Sequence, residues 1–127
     1  MNKIHKDYKI KSSPESVWRA LTDPEEIDAW GGGPVEMDAV IGFSFSLWGG
    51  DIHGRNLEVV SGKKLVQEWY NGDWREPSTV TFLLSPEESG TRLELTHEDI
   101  PEEEVDDIDS GWDDFYIGPL KDYLEML

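Results

Sequence analysis

The stretch that decides the fold is SGWDDFYIGPLKDYLEML, residues 110–127. Its apolar side chains recur at intervals of three or four residues, which predicts one long amphipathic helix. The predicted apolar stripe comprises Trp112, Phe115, Tyr116, Pro119, Leu120, Tyr123, Leu124 and Leu127. Pro119 cannot donate a backbone hydrogen bond, so we expect a kink, or at most a break, at Gly118-Pro119. A helix of this kind needs an apolar surface to cover.

The residues that precede this helix can supply such a surface. Between residues 35 and 97 the apolar positions alternate with polar ones, which is typical of strands that bury one face. The separators are short and rich in Gly, Asn, Asp or Pro, so we predict a meander of antiparallel strands. The alternating sets are Val35 and Met37; Phe43, Phe45 and Leu47; Leu57 and Val59; Leu65, Gln67 and Trp69; Val80, Phe82 and Leu84; and Leu93, Leu95 and His97.

The N-terminal part predicts a strand over residues 4–10 and then two short helices. Ser13 and Asp23 are typical N-cap residues, and a proline follows each of them at the first helical position. This order of elements is typical of an α+β domain. We therefore predict an antiparallel sheet of about six to seven strands that carries the long C-terminal helix on one face. If the sheet curves around that helix, a cavity can lie between the two.

Composition limits the possible partners. The chain has 127 residues, no cysteine and a formal net charge of −17 at pH 7. The length predicts a single domain over residues 1–127, and the sequence shows neither a signal-peptide core nor a bilayer-spanning apolar run. We therefore expect a cytoplasmic protein. The negative charge argues against nucleic-acid and membrane partners and favours cationic ones, although it would also serve solubility alone.

Ten carboxylates fall within EDIPEEEVDDIDSGWDD, residues 98–114. An EF-hand loop does not fit, because placing Gly111 at the glycine position puts Ile108 at a ligand position. We interpret the run as the approach to the C-terminal helix, with Ser110 and Asp113 in the form of a capping box. The three histidines lack the spacing of a helical metal site. The sequence therefore predicts no metal and no cofactor.

The chain contains, in this order, VWRALTDPEEIDAW (17–30), GFSFSLWGGDIHG (42–54), KKLVQEW (63–69), PSTVTFLLSP (77–86), GTRLELTH (90–97) and GWDDFYIGPLKDYLE (111–125). Together these segments resemble the activator-of-heat-shock-chaperone-ATPase homologues (AHSA type) of the START-like superfamily, SRPBCC. The resemblance spans essentially the whole chain. It implies the helix-grip fold, in which a long C-terminal helix lies across a curved antiparallel sheet. It also implies that many relatives hold an apolar ligand between helix and sheet.

Six tryptophans in a chain of this size favour an aromatic binding site. Our first hypothesis is noncatalytic binding of a small apolar or aromatic ligand in a cavity between the sheet and the C-terminal helix, with Trp30 and the glycines at 31–33 at the mouth. The predicted lining is Trp30, Phe43, Phe45, Trp69, Phe82, His97, Trp112, Tyr116 and Leu120. Two interpretations of His97 stay open. It is either a structural histidine bonded to a backbone group at a strand end, or a polar group that orients a ligand at the cavity rim.

Two other functions stay open at this point. The acidic surface would suit a protein-interaction module of the chaperone-activator type that binds a basic partner. START-like folds also host hydrolases and cyclases, but no nucleophile and base can be assigned from the sequence. The sequence therefore predicts no catalytic residue and leaves the oligomeric state open.

Overall fold

A computed structural model describes residues 2–127 of the chain. Six strands and four α-helical segments follow each other in the predicted order. The strands are β1 (Asn2–Ile10), β2 (Ser44–Leu47), β3 (Ile52–Val60), β4 (Lys64–Asn71), β5 (Ser78–Glu87) and β6 (Gly90–Ile100). The helices are α1 (Pro14–Thr22), α2 (Pro24–Trp30), α3 (Val105–Gly111) and α4 (Gly118–Glu125). A π-helical turn (Trp112–Ile117) joins α3 to α4, and 3₁₀ turns lie at Trp48–Gly50 and Glu102–Glu104.

The strands form one curved antiparallel sheet in the order β1-β6-β5-β4-β3-β2. Every neighbouring pair after β1 is also consecutive in the sequence, so the meander prediction is confirmed from β2 to β6. β1 closes the other edge by pairing with β6, with Tyr8 opposite Leu93. The first and last strands of the chain are therefore direct neighbours.

Both predicted N-caps are confirmed. The Ser13 hydroxyl accepts a hydrogen bond from the Ser16 amide at 3.2 Å, and the Asp23 carboxylate accepts one from the Glu25 amide at 2.9 Å. Such caps stabilise a helix by about 1 kcal/mol each, because they satisfy amides that have no partner inside the helix. α1 then buries Val17 and Leu21 against the sheet side of the molecule.

The alternation of β4, β5 and β6 predicts their buried faces correctly. The predicted inward-facing side chains on these strands are all buried, namely Leu65, Gln67, Trp69, Val80, Phe82, Leu84, Leu93, Leu95 and His97. The core lies between this face and the helices, since α1 contacts β5 and β6 while both α1 and α2 contact α4.

Within residues 2–127, one predicted strand is absent, and in another the side chains face differently from the prediction. Val35 and Met37 do not lie in a strand, because their neighbour Glu36 makes only an isolated bridge with Ser46. The pattern of Leu57 and Val59 is also misleading. β3 carries a bulge between Asn56 and Glu58, which shifts the facing residues and leaves Leu57 exposed.

Candidate functional site

An aromatic cluster fills the space where the C-terminal helix crosses the sheet. Tyr116 lies at its centre, and the centroid of its ring is 4.8 Å from that of Trp30 and 4.9 Å from that of Trp112. The Trp69 and Trp112 rings stack at 4.8 Å, and Phe82 lies 5.8 Å from Tyr116. These separations are those of rings in direct contact. Side chains of the predicted lining thus pack against one another.

An open cleft of about 330 Å³ lies beside this cluster. One wall comes from the turn between β2 and β3 and from the end of β4, and the other comes from α3 and the π-helical turn. The lining residues are Trp48, Asp51, Ile52, Trp69, Asn71, Asp107, Ile108, Gly111, Trp112, Phe115 and Tyr116. The cleft is therefore mostly apolar and aromatic, with two carboxylates among its lining residues.

The π-helical turn decides which residues face the cleft and the core. The Gly118 amide donates to the Asp113 carbonyl, five residues back, which is the π-helical pattern. A Cβ added at Gly118 would collide with that same carbonyl oxygen, so the close approach requires glycine. Pro119 follows and contributes no amide hydrogen to the ladder. The helical run continues through Gly118-Pro119 as a π-helical turn followed by α4, so there is no break.

Two residues of the predicted apolar stripe are exposed instead of buried. Trp112, Tyr116 and Ile117 are buried, whereas Phe115 is 67% exposed at the cleft. Leu127 is 82% exposed beyond the end of α4. A strict α-helix would have placed Phe115 beside Trp112 on the inner face, but the extra residue in the turn rotates it outward.

The predicted capping box is wrong because the helix begins earlier. The acidic run is itself helical from Val105 onward, so Ser110 lies inside α3, where its hydroxyl donates to the carbonyls of Asp106 and Asp107. Asp113 caps nothing. Its carboxylate accepts hydrogen bonds from Lys6 at 2.8 Å and from the Tyr8 hydroxyl at 2.7 Å.

Lys6, Tyr8, Asp109 and Asp113 form a clasp between β1 and the C-terminal helical run. The Lys6 ammonium also reaches Asp109 at 3.0 Å. The hydrogen bonds from Lys6 and Tyr8 hold the pKa of Asp113 below its ordinary value. Burial, and then the bond to Asp113, raises the pKa of Tyr8. Partial burial lowers the pKa of Lys6, but its bonds to the two carboxylates outweigh that effect and leave it raised.

Trp48 forms part of the cleft wall in a strained conformation. Its backbone φ is 49°, in the left-handed region that bulky residues rarely adopt, at a cost on the order of 1–3 kcal/mol. Two hydrogen bonds hold it there. The Trp48 amide donates to the Gly32 carbonyl at 2.8 Å, and its indole N–H donates to the Gly31 carbonyl at 2.8 Å. The glycines therefore anchor one wall of the cleft.

His97 is buried behind the cleft, with 1% of its surface exposed. The indole N–H of Trp112 can only donate, so His97 Nδ1 accepts that hydrogen bond, at 3.1 Å, and the ring proton sits on Nε2. Nε2 then donates to the Ser78 hydroxyl at 2.7 Å, which leaves that hydroxyl free to donate to the Trp69 carbonyl at 3.0 Å. Burial lowers the pKa of His97 to about 4, so the neutral tautomer is retained at pH 7.

His97 fits neither of the two predicted interpretations in full. Its partners are side chains, not the backbone group that the structural interpretation predicted, and it lies inside the core instead of at a rim. Although Ser78 and His97 are at the distance of a nucleophile–base pair, Nε2 carries a proton and therefore cannot accept one from the serine. The pair is arranged to orient Trp112.

A second buried chain of hydrogen bonds orients Trp69. Its indole N–H donates to Gln67 Oε1 at 2.9 Å, and Gln67 Nε2 donates to Asn56 Oδ1 at 3.0 Å. Asn56 in turn donates to the carbonyls of Asp38 and Val40. Because each of these buried polar groups has a partner, the chain holds the Trp69 ring rigidly at the edge of the cleft.

The side chain of Tyr116, in contrast, has a buried polar group without a hydrogen-bond partner in the described part of the chain. Its side chain lines the cleft and is 2% exposed, yet its hydroxyl has no hydrogen-bond partner within residues 2–127. Burial raises the pKa of Tyr116, so the phenol remains protonated. A buried hydroxyl without a partner destabilises the fold by about 1–3 kcal/mol, which makes this atom a feature that requires explanation.

Three of the nine predicted lining residues reach the cleft, namely Trp69, Trp112 and Tyr116. The others lie behind it. Trp30, Phe45, Phe82, His97 and Leu120 are buried in the core, and Phe43 is partly buried against it. Trp30 donates its indole N–H to the Ala20 carbonyl, so it does not stand at a mouth.

Sequence reasoning missed eight lining residues: Trp48, Asp51, Ile52, Asn71, Asp107, Ile108, Gly111 and Phe115. Most of them come from turns or from the acidic run, where alternation and helical periodicity carry no information. The Gly49-Gly50-Asp51 sequence does mark the turn that carries Trp48 and Asp51, and that was the available signal.

His5, Asp7 and Glu94 form a separate cluster on β1 and β6 whose ligand atoms lie close enough to share a metal ion. The Arg92 guanidinium already binds Asp7 at 2.9 Å and Glu94 at 3.4 Å. A cation would therefore compete with an arginine at an exposed site. No helix within residues 2–127 is long and apolar enough to cross a membrane.

The chain is similar to several known proteins. Residues 11–125 match the family described as "Activator of Hsp90 ATPase homolog 1-like protein". The Homo sapiens "Activator of 90 kDa heat shock protein ATPase homolog 1" is 27% identical over 112 residues, which are 87% of this chain and 33% of that protein. An uncharacterized Schizosaccharomyces pombe protein is 27% identical over 93% of this chain and 36% of its own length. The chain thus spans about a third of the length of these two curated relatives.

Two of the solved structures that match do so over nearly their whole length. An HSP90 activator from Plasmodium falciparum has a TM-score of 0.85 and 29% identity, covering 98% of this chain and 95% of that one. A protein from Mesorhizobium loti has a TM-score of 0.86 and 26% identity, covering 98% of both chains.

Proposed function

The chain belongs to the Activator of Hsp90 ATPase homolog 1-like family, and from that premise we propose that it is a noncatalytic binding module that stimulates the ATPase of an Hsp90-type chaperone. The observation that carries this proposal is the likeness to the Plasmodium falciparum HSP90 activator, which covers 98% of this chain and 95% of that one.

The cleft is the surface that best suits a protein partner. Its rim carries Phe115, an aromatic side chain with 67% of its surface exposed that adjoins the other apolar residues of the cleft. Behind it, Trp69 and Trp112 are held rigidly by buried hydrogen bonds, so little side-chain entropy is lost on binding. Rigid aromatic anchors at a pocket are typical of residues that dominate interface energies.

The test is the ATPase rate of a purified Hsp90-type chaperone from the same source, measured with and without this protein. We expect a saturable increase with the wild type. Phe115→Ala should raise the concentration needed for half-maximal stimulation by roughly tenfold, because an exposed anchor is lost without disturbing the core. Met126→Ala is the matched control, since Met126 is 85% exposed and lies outside the cleft.

Absence of stimulation at any concentration would contradict the proposal. Equal loss of stimulation in both variants would contradict the assignment of the cleft as the binding surface. Of the two substituted residues, Phe115 lines the cleft and Met126 does not.

A second candidate function is binding of a small apolar or aromatic ligand in the same cleft. The observation that favours it is the buried Tyr116 hydroxyl without a partner at an aromatic-lined cleft of about 330 Å³. That volume falls at the lower end of the range for small-molecule sites, about 300–1,000 Å³, and such sites combine apolar walls with a few polar groups.

Thermal unfolding in the presence of a panel of small aromatic compounds tests this candidate. A ligand present at 100 times its Kd should stabilise the folded state by about 2.7 kcal/mol and therefore raise Tm. Trp112→Ala should abolish that shift. A panel that leaves the wild-type Tm unchanged would count against this second function and leave the first intact.

A further inference from the structure

We propose that the cleft receives a basic side chain, lysine or arginine, from the protein partner. This inference rests on the proposed function and specifies the chemistry that its cleft recognises. Three observations carry it: the charge of the lining, the aromatic walls and the buried Tyr116 hydroxyl.

The lining has two carboxylates and no basic residue. Asp51 lies in the turn after β2 and Asp107 lies in α3, so the two acids come from opposite walls of the cleft. Neither carboxylate has an ion pair or a side-chain hydrogen bond within the described part of the chain, residues 2–127. Coulombic attraction across an aqueous rim is modest for each acid, but both act on the same volume.

Three neighbouring acids are bound by side chains of other elements, whereas Asp106 and Asp114 have no such partner within residues 2–127 but lie outside the cleft lining. Asp109 and Asp113 bind Lys6, and Glu104 accepts a hydrogen bond from the Trp74 indole at 2.6 Å. The chain therefore satisfies acids that face its own elements and leaves Asp107 at the cleft without a partner. Charge complementarity favours a cation there.

The walls suit the alkyl stem and the charge of such a side chain. Trp69 and Trp112 stack on each other at 4.8 Å, and Trp48 meets Tyr116 edge-on at 6.1 Å. Aromatic faces attract ammonium and guanidinium groups, most strongly when the pair is partly desolvated. Apolar stems of lysine and arginine also pack well on aromatic rings.

The Tyr116 hydroxyl is an observation independent of charge. The indole N–H groups of Trp69 and Trp112 are already satisfied by Gln67 and His97, so the buried phenol hydroxyl is the polar group without a partner among these three residues within the described chain. A phenol oxygen accepts hydrogen bonds, and a lysine or arginine head group only donates them. The unsatisfied acceptor and the cation are chemically matched.

The experiment titrates the full chain with two blocked tripeptides, acetyl-Ala-Lys-Ala-amide and acetyl-Ala-norleucine-Ala-amide, and follows the indole N–H resonances by NMR. Norleucine has the lysine stem without its ammonium group. We expect the lysine peptide to bind at least fivefold more tightly and to shift the resonances of Trp69 and Trp112.

Three variants locate the site. Asp51→Asn and Asp107→Asn should each weaken binding of the lysine peptide by roughly threefold, and both should lower stimulation of the chaperone ATPase. Asp114→Asn is the control, because Asp114 is an exposed acid of the same helical run that does not line the cleft. It should leave the lysine affinity unchanged.

The outcomes separate this inference from the proposed function. Equal affinity for the lysine and norleucine peptides, or asparagine variants that bind lysine as tightly as the wild type, would overturn the cationic site even if the chaperone is stimulated. A chain that prefers lysine but never stimulates the chaperone would retain the cation site and disprove the proposed function.

Discussion

At the residue scale, burial of His97 links stability to pH. Its ordinary pKa of 6.5 falls to about 4 in the folded protein. Between these values the unfolded chain binds a proton that the folded chain refuses, so the free energy of unfolding decreases as the pH falls from 6.5 towards 4. The slope from one such group is at most about 1.4 kcal/mol per pH unit.

His97→Gln tests this link, because the glutamine amide can still donate to Ser78 but does not titrate. We expect the variant to be less stable than the wild type at pH 7. The difference should shrink by up to about 1.4 kcal/mol per pH unit below pH 6.5. Urea denaturation of both proteins at several pH values measures this stability difference. The carboxylates titrate in both proteins, so their contribution cancels in the difference. Parallel curves for the two proteins would show that His97 does not titrate as described.

Tyr116 provides a second prediction at this scale. Tyr116→Phe removes a buried hydroxyl without a partner and keeps the ring, so we expect the free energy of unfolding to rise by about 1 kcal/mol. Tyr8→Phe is the matched control, because the Tyr8 hydroxyl donates to Asp113 and its removal should lower stability by about 1 kcal/mol. Chemical denaturation measures both. A destabilised Tyr116→Phe variant would mean that the hydroxyl makes a favourable contact.

At the scale of elements, the π-helical turn explains why two glycines of one helix should respond in opposite ways. A methyl group at Gly118 collides with the Asp113 carbonyl, so Gly118→Ala should lower the free energy of unfolding by about 1–3 kcal/mol. At Gly111 the nearest atom is Phe115 Cδ2 at 3.8 Å, an ordinary contact. Gly111→Ala should therefore raise stability by about 0.5–1 kcal/mol through helix propensity.

Thermal or urea denaturation of the two variants gives the comparison. If Gly118→Ala is as stable as Gly111→Ala, the turn has no need of glycine and can relax to regular α-helix.

The same turn shows where prediction from sequence reaches its limit. Residue type was sufficient for both N-caps, and regular periodicity was sufficient for the buried faces of β4 to β6 and for the presence of a long C-terminal helical run. A π-helical turn and a β-bulge each insert one residue into a repeat, and Phe115 and Leu57 follow that insertion outward. The energies that select such insertions come from packing across the molecule, which a single segment does not contain.

The lining of the cleft differs from the predicted lining for a related reason. The nine predicted lining residues were chosen from the inner faces of regular elements, and most of those faces pack against each other. The cleft arises where the elements end, at the 3₁₀ turn Trp48–Gly50 and along the start of the C-terminal helical run. The conformation of the turn at Trp48–Gly50 and the first residue of the C-terminal helical run were the two features that the sequence specified least.

At the scale of the whole molecule, the clasp joins the first strand to the last helical run, across 107 positions of sequence between Lys6 and Asp113. In a chain with a net charge of −17, the loss of one acid would ordinarily relieve repulsion. Asp113→Asn should instead lower the free energy of unfolding by about 1 kcal/mol, because it loses charge-assisted bonds to Lys6 and Tyr8. Asp114→Asn, which removes an adjacent exposed acid, should be neutral or slightly stabilising.

The pH dependence of that difference gives the clasp its own signature. The pKa of Asp113 lies below its ordinary value of 3.8, so its contribution to stability is complete above pH 3.8 and is lost as the pH falls through the folded-state pKa. The stability difference between wild type and Asp113→Asn should therefore persist at pH 5 to 7 and shrink below pH 3.8. Urea denaturation at pH 7, 5 and 3 measures it. A difference that is unchanged at pH 3, or one shared by Asp114→Asn, would show that the ionised carboxylate of Asp113 does not hold the two ends of the chain together.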